Sequence, residues 1–277
     1  MKIKTLQIFC ILFVVFFLGY AHSGFSQTDS ASLPQGKWID MTHDFSSETV
    51  YWPTAEGFEL ETVFEGETDK GYYYDANKYS AAEHGGTHID SPIHFAEGKQ
   101  TVDEIPLERL IGPAIVIDVS KKALSDPDYQ ISVKDFTDWE AKNGTIPEGS
   151  IVLLNTGYAK YWPDRVKYMG TDKRGSEAVK DLHFPGLAPQ AAKWLVEKRN
   201  INAIGLDTPS IDFGQSQLFE SHRILFEENI PAFENVANLD KLPPKGAVVI
   251  ALPMKIKGGS GGPLRIIAML PEENDKE

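Results

Sequence analysis

Apolar positions in this chain come in short blocks, and the blocks differ in rhythm. Residues 114–119, 151–154, 201–206, 247–252 and 264–270 are apolar runs rich in Val, Ile, Leu and Ala. Each is short and bounded by Gly, Pro, Asn or Asp, which is a strand signal. Two other segments carry the wider spacing of an amphipathic helix. The first opens at Ser132, with Asp135 three residues on, and closes at Gly144. The second begins near Pro189 and runs to about Lys198. Ala191, Ala192, Trp194 and Leu195 form its apolar face, Val196 sits at the edge, and Lys193 and Glu197 suit solvent. Strands mixed with few helices indicate an α/β or α+β fold around a mixed sheet core.

The N-terminus follows a different pattern. Lys2 and Lys4 precede an almost wholly apolar run over residues 6–20, followed by small residues at two candidate cleavage sites. This reads as a secretory signal peptide over residues 1–26, and implies a secreted or periplasmic protein. An apolar run of about 15 residues is short for a span of about 20, so no membrane association is expected after its removal. Residues 27–36 are small and polar and read as a flexible tether. Residues 37–277 then form one catalytic domain, with no later linker and no repeat.

Composition narrows the chemistry. Cys10 is the only cysteine. It leaves with the signal, so the mature chain has neither disulfides nor thiolate ligands. The formal charge is −13, and loss of the two signal lysines makes it −15. Nucleic acid is therefore not an expected partner, because its binding needs a basic footprint.

Residues 84–94 read His-Gly-Gly-Thr-His-Ile-Asp-Ser-Pro-Ile-His. They gather three of the chain's 7 histidines with one aspartate. Imidazole and carboxylate are ligands for a divalent metal such as Zn²⁺ or Mn²⁺. The two glycines favour a tight turn that brings the backbone close to something. An extended 88–90 segment points His88 and Asp90 one way and Ile89 the other, into the core. Pro92 stiffens the link to His94. His94 can then reach the same cavity without being a ligand. A histidine titrates near neutral pH, and the leaving nitrogen of an amide must be protonated, so His94 is the candidate general acid/base. Its other reading is a further ligand.

The segment HGGTHIDSPIHF resembles the HxGTHxDxPxH signature of the metal-dependent cyclase family, which includes bacterial kynurenine formamidases (arylformamidases) and isatin hydrolases. Further matches follow in family order: Trp52-Pro53, residues 183–187, residues 204–212, His222-Arg223, Glu234, residues 251–253 and residues 262–265. The resemblance covers roughly residues 37–270 and implies a swivelling β/β/α arrangement. It implies that His84, His88 and Asp90 bind one metal ion and that His222 and Glu234 complete a second site, with Asp90 or Glu234 bridging. One or two ions, Zn²⁺ or Mn²⁺, are both compatible, since isatin-hydrolase-like members use one. Taken alone, His222 reads as a surface histidine near a helix end, and Glu227 and Glu228 compete with Glu234 as donors. Only the resemblance selects Glu234.

The resemblance also makes Trp52 an aromatic wall for a flat substrate, which Tyr72, Tyr73, Tyr74 and Phe95 could extend. Asp207, after a strand, suits a turn or a residue that orients the site. His183 departs from the family's commoner aromatic and could tune the pocket or be exposed. Residues 258–262 depart from the more usual Gly-x-Asp-Gly-Ser-Pro pattern and read as a flexible turn. The implied function is a secreted arylformamidase-like hydrolase of a small aryl amide, in which metal-bound hydroxide attacks the carbonyl. The alternative is isatin-hydrolase-like opening of a cyclic amide or ester. A third reading, of another class, is a non-catalytic periplasmic metal or ligand-binding protein. The family implies a homodimer or homotetramer.

Overall fold

The apolar runs at 114–117, 151–154 and 203–206 are continuous because their strands are buried on both faces. The computed structural model describes residues 36–271. The expected signal peptide and residues 27–35 of the expected tether lie outside the described residues, while Gly36, expected to end the tether, already begins a strand paired with Pro271. The strands are β1 (Gly36–Asp40), β2 (Glu59–Glu67), β3 (Tyr73–Ser80), β4 (His88–Asp90), β5 (Ile111–Asp118), β6 (Gln130–Ile131), β7 (Ile151–Asn155), β8 (Gly186–Leu187), β9 (Ala203–Leu206), β10 (Ala232–Glu234), β11 (Lys245–Pro253) and β12 (Gly261–Pro271). The helices are α1 (Leu107–Leu110), α2 (Ser120–Ala123), α3 (Val133–Asn143), α4 (Arg165–Met169), α5 (Pro189–Arg199) and α6 (Glu220–Glu227).

The main sheet runs β1-β12-β11-β5-β7-β9-β10-β4, and β4 also pairs with β12. That extra pairing closes a barrel-like ring, so among the described residues the short β4 has a neighbour on both sides. β5, β7, β9 and β10 are parallel. Parallel neighbours need crossovers, and α3, α5 and α6 lie in those connections. Ala114, Val116, Ile151, Leu153 and Ala203 join Ile89, Phe233, Val249 and Ile266 in one core. The alternate residues Ile115, Ile117, Val152, Leu154, Ile204 and Leu206 pack with Phe136, Leu195 and Leu225 of the helices in the other. The period of two is present, but both faces are apolar, so the sequence shows runs and not alternation. Truncating a core member such as Leu153 to Ala should cost about 2–5 kcal/mol.

Both expected helices form. The carboxylate of Asp135 accepts from the Ser132 backbone N–H at 2.8 Å at the start of α3, and Gly144 follows its last turn at φ +89. In α5, Ala191, Ala192 and Leu195 are buried while Lys193 and Glu197 are exposed. No helix among the described residues is long and apolar enough to cross a membrane.

The β2–β3 hairpin stands outside the main sheet. Leu60, Val63, Phe64, Tyr72, Tyr73 and Tyr74 are exposed on it or at its turn. This corrects the expectation for Tyr72, Tyr73 and Tyr74, none of which lines the pocket described below.

Candidate functional site

Strand register explains why the donors meet. In β4, His88 and Asp90 share one face while Ile89 turns into the barrel core. β10 lies antiparallel to β4 with Glu234 opposite His88 and Ala232 opposite Asp90. Directly opposed residues share a face, so Glu234 joins His88 and Asp90. His84 comes from the turn before β4. A Cβ at Gly85 would lie 2.0 Å from the Tyr51 ring, so only glycine lets this turn pack there. The fifth donor, His222, rises from α6 on the other side. His88, Asp90, His222 and Glu234 are all buried.

Two sets of three donors result, sharing Asp90. His84, His88 and Asp90 each offer an atom within 4.8 Å of the others, and so do Asp90, His222 and Glu234. The two Asp90 oxygens divide between the sets. Oδ1 lies 2.7 Å from His84 Nδ1 and 3.1 Å from His88 Nε2, and Oδ2 lies 3.3 Å from His222 Nε2. The expected groups, including Glu234 in place of Glu227 or Glu228, are therefore together. Glu227 and Glu228 are exposed, and Glu227 pairs with Lys99 at 3.1 Å.

The tautomers fit a cation at this place. The Gly86 carbonyl, 2.9 Å from His88 Nδ1, can only accept, so the ring proton sits on Nδ1. His88 Nε2 then presents a lone pair to Asp90 Oδ1 and to Glu234 Oε2, 3.5 Å away. A lone pair facing two carboxylates is repulsive, so this contact calls for positive charge between them, a second ring proton or a cation. His222 repeats the pattern. Its Nδ1 donates to Asp212 Oδ2 at 2.6 Å, and Nε2 faces Glu234 Oε1 at 3.1 Å. Three imidazoles and two carboxylates offer only N and O donors, which suit Zn²⁺ or Mn²⁺. Orienting partners on the far ring nitrogens are what metal-binding histidines use.

The electrostatics agree. Burial works against charging His222, but hydrogen bonds to Asp212, Asp90 and Glu234 outweigh it and hold its pKa well above the ordinary value. Burial also opposes the charge on Asp90, yet the surrounding histidines hold its carboxyl well below the usual range. Burial and the Asp90 charge push Glu234 up. The site therefore favours positive charge between its carboxylates.

His94 belongs to neither set. Its Nε2 lies 4.0 Å from Asp90 Oδ2, and its ring stacks on His84 with centroids 3.8 Å apart. Burial pulls its pKa down to about 4, against the pull of Asp90, so the ring is a neutral base at neutral pH. The 3-10 turn Pro92–His94 presents it, with Pro92 at its start. A cavity of about 240 Å³ opens beside these groups. Trp52, Phe95 and Phe219 wall it, and no Lys or Arg is among its lining residues. Trp52 meets Phe219 edge-on at 6.3 Å, and Phe95 lies 4.6 Å from the His222 ring.

Several residues fall elsewhere than the sequence suggested. Asp207 is buried and accepts from the Thr156 backbone N–H at 2.8 Å and the Thr156 hydroxyl at 2.7 Å. It ties a turn and touches none of the site histidines. The orienting role belongs to Asp212, within a segment that had only been matched as a motif. His183 is exposed and pairs with Asp128 at 2.9 Å, away from the cavity. Residues 258–262 form a pinned turn leading into β12, not a loose one. Gly258 donates to Asp103 Oδ1 at 2.9 Å, Val102 donates to the Gly259 carbonyl at 3.0 Å, and Ser91 donates to the Ser260 carbonyl at 2.9 Å. Phe219 had no signal in the sequence beyond being aromatic.

Comparison with known proteins gives a consistent picture. A family described as "Putative cyclase" matches residues 39–213. An isatin hydrolase of Roseibium aggregatum is 34% identical over 247 residues, 86% of this chain and 89% of that protein. A kynurenine formamidase of Bacillus cereus is 27% identical over 235 residues, covering 83% of this chain and 96% of that protein. Isatin hydrolase A from Labrenzia aggregata, solved with benzyl benzoate, superposes with a TM-score of 0.77 at 33% identity. That match covers 85% of this chain and 94% of the solved one. The α/β architecture with a swivelling β/β/α core is thus the one the sequence implied.

Proposed function

The chain belongs to the cyclase family, and from that premise we propose that it is a metal-dependent hydrolase that opens a compact cyclic aryl amide of the isatin kind. One observation carries the choice of substrate. The cavity holds about 240 Å³, is walled by Trp52, Phe95 and Phe219, and has no Lys or Arg in its lining. That is below the usual range of about 300–1,000 Å³ for ligand pockets. A flat bicyclic lactam needs little more than aromatic walls. An N-formylkynurenine would also bring an α-carboxylate, and no lining cation is there to receive it.

His84, His88 and Asp90 would hold one ion, and Asp90, His222 and Glu234 a second where two bind. A bound divalent ion supplies Lewis acidity toward a carbonyl oxygen and lowers the pKa of a water near it. The chain's own groups do the rest. Trp52 and Phe219, in edge-on contact with each other, wall the ring on that side and exclude water from it. Asp212 and the Gly86 carbonyl fix the planes of His222 and His88. His94, neutral at working pH, takes the proton of the attacking water and returns it to the amide nitrogen as the C–N bond breaks. The products are a carboxylate and an aryl amine on one opened chain, and water is the only co-reactant.

The second reading is an arylformamidase, favoured by the formamidase relative. The experiment that separates the two is a comparison of kcat/KM for isatin and for N-formylkynurenine on one metal-loaded preparation. Faster opening of isatin is expected. Faster formate release from N-formylkynurenine would replace the first reading by the second, and metal binding without turnover of either would favour a binding protein. Export by the N-terminal signal belongs to the same proposal and is tested by fractionating cells for the processed chain. Assembly into a dimer or tetramer also belongs to it. The exposed β2–β3 hairpin supports this, because two strands alone are marginal in water. Light scattering would show it.

A further inference from the structure

The turn before β12 reaches His84 through a chain of hydrogen bonds that neither the sequence motifs nor the proposed chemistry requires. His84 Nε2 lies 2.9 Å from Ser260 Oγ. That hydroxyl lies 2.7 Å from Glu83 Oε2, and the Ser260 backbone N–H donates to the same oxygen at 3.0 Å. A carboxylate can only accept, so the hydroxyl proton goes to Glu83. The Ser260 oxygen is then left to accept from His84 Nε2–H. The direction is fixed: His84 donates to Ser260, and Ser260 donates to Glu83. With a proton on Nε2, Nδ1 is the nitrogen that a neutral ring turns as a lone pair toward Asp90, the tautomer a metal needs.

The backbone is shaped for this contact. A Cβ at Gly259 would lie 2.8 Å from Glu83 Oε1, and a Cβ at Gly261 would lie 2.6 Å from the His84 ring. The glycines on either side of Ser260 therefore let the turn close on both partners at once. Ser91 and Val102 hold it there from the other side. The other two site histidines each have an acceptor on the far nitrogen, Gly86 for His88 and Asp212 for His222. His84 has Ser260 with Glu83 behind it.

We propose that Glu83 and Ser260 are positioning residues that act in series on His84, the serine passing the carboxylate's pull to a ring that the carboxylate does not itself touch. This rests on the reading of His84 as a metal ligand. The ring of His94 stacks on His84, so the relay also sets the plane against which the candidate general base lies.

The test is the dissociation constant of Mn²⁺ or Zn²⁺, measured by chelator competition, for wild type, Ser260→Ala, Glu83→Gln, and Glu83→Gln combined with Ser260→Asp. Loss of an outer partner of a metal-binding histidine typically weakens metal binding about 10–100-fold. Ser260→Ala and Glu83→Gln should each show a loss of that size. The combined variant places a carboxylate directly beside His84 Nε2 and should restore affinity to within about threefold of wild type by the same reasoning. Ser260→Asp alone should be worse than the combined variant, because two carboxylates then share one proton donor. Melting curves of the chelated proteins separate misfolding from lost affinity. A misfolded variant hands the decision to the combined one, which keeps both side chains polar and of similar size. Wild-type affinity in both single variants overturns the relay, and so does failure of the aspartate to rescue. Wild type that takes up no metal at all overturns the proposed function and the relay together.

Discussion

Asp90→Asn should abolish metal-induced stabilisation, because this one side chain serves both sets of donors. In the folded protein its Oδ1 faces His84 and His88, and its Oδ2 faces His222. Asparagine is nearly the same shape but carries no charge. Whichever way its amide turns, one side presents N–H groups in place of an acceptor. One set of three then loses its acceptor, and the other keeps a neutral amide oxygen where the carboxylate gave an anionic one. The magnitude follows from linkage. Metal at about a thousand times its dissociation constant stabilises a folded protein by about 4 kcal/mol. For a domain of about 150–250 residues, each kcal/mol raises Tm by about 2–4 °C. Wild type should therefore melt about 8–16 °C higher with metal than with chelator. Asp90→Asn should gain less than about 3 °C, the shift of roughly 1 kcal/mol. The assay is differential scanning calorimetry of each protein with excess Mn²⁺ or Zn²⁺ and with chelator. Taking the difference for each protein cancels whatever the substitution does to the metal-free fold. Glu234→Gln, which removes a donor from the second set alone, should keep part of the shift. An Asp90→Asn protein that gains as much from metal as wild type would refute the shared-carboxylate geometry.

His94→Ala should keep the metal-induced shift and lower kcat by about 10²–10⁴-fold, the usual worth of a positioned general acid/base; loss of the shift would make His94 a ligand instead. Trp52→Ala should raise KM for an aryl substrate about tenfold or more with little change in kcat, since burial of one aromatic face is worth about 1.5–3 kcal/mol; steady-state kinetics with an unchanged KM would remove Trp52 from the substrate wall. His43 lies outside the site and stacks on Trp162 with centroids 4.2 Å apart, and burial lowers its pKa from 6.5 to about 4. Between these values the unfolded chain binds more protons than the folded one, so stability should fall as pH drops from about 6.5 toward about 4. His43→Phe keeps the stack and should flatten that slope in urea melts at several pH values; an unchanged slope would place its origin elsewhere.

The turn that carries the candidate metal donors was the most legible part of this molecule. Gly-Gly before His88, alternation across His88-Ile89-Asp90 and proline before His94 each have local causes, and each is seen in the fold. The helices opening at Ser132 and near Pro189 were legible for the same reason, the second running one residue past the expected end at about Lys198. What sequence could not show was pairing. Glu234 is singled out from Glu227 and Glu228 by the β4–β10 register, which brings together residues 146 positions apart. Asp212 orients His222 only because the chain folds back onto the start of α6. Glu83 and Ser260 meet across 177 positions. The β2–β3 hairpin gave no clear signal, since both its faces mix charged and aromatic residues. Phe219 became part of the cavity through a left-handed residue at the start of α6, at φ 47, which no local pattern announces.

Metal-dependent hydrolysis is tested most directly by following isatin opening through one cycle of metal removal and return. The protein would be assayed as purified, after chelation with residual metal checked by elemental analysis, and after addition of one or two equivalents of Mn²⁺ or Zn²⁺. The expected result is loss of turnover on chelation and its recovery with stoichiometric metal. Turnover that persists in protein shown to be free of metal would contradict the proposal.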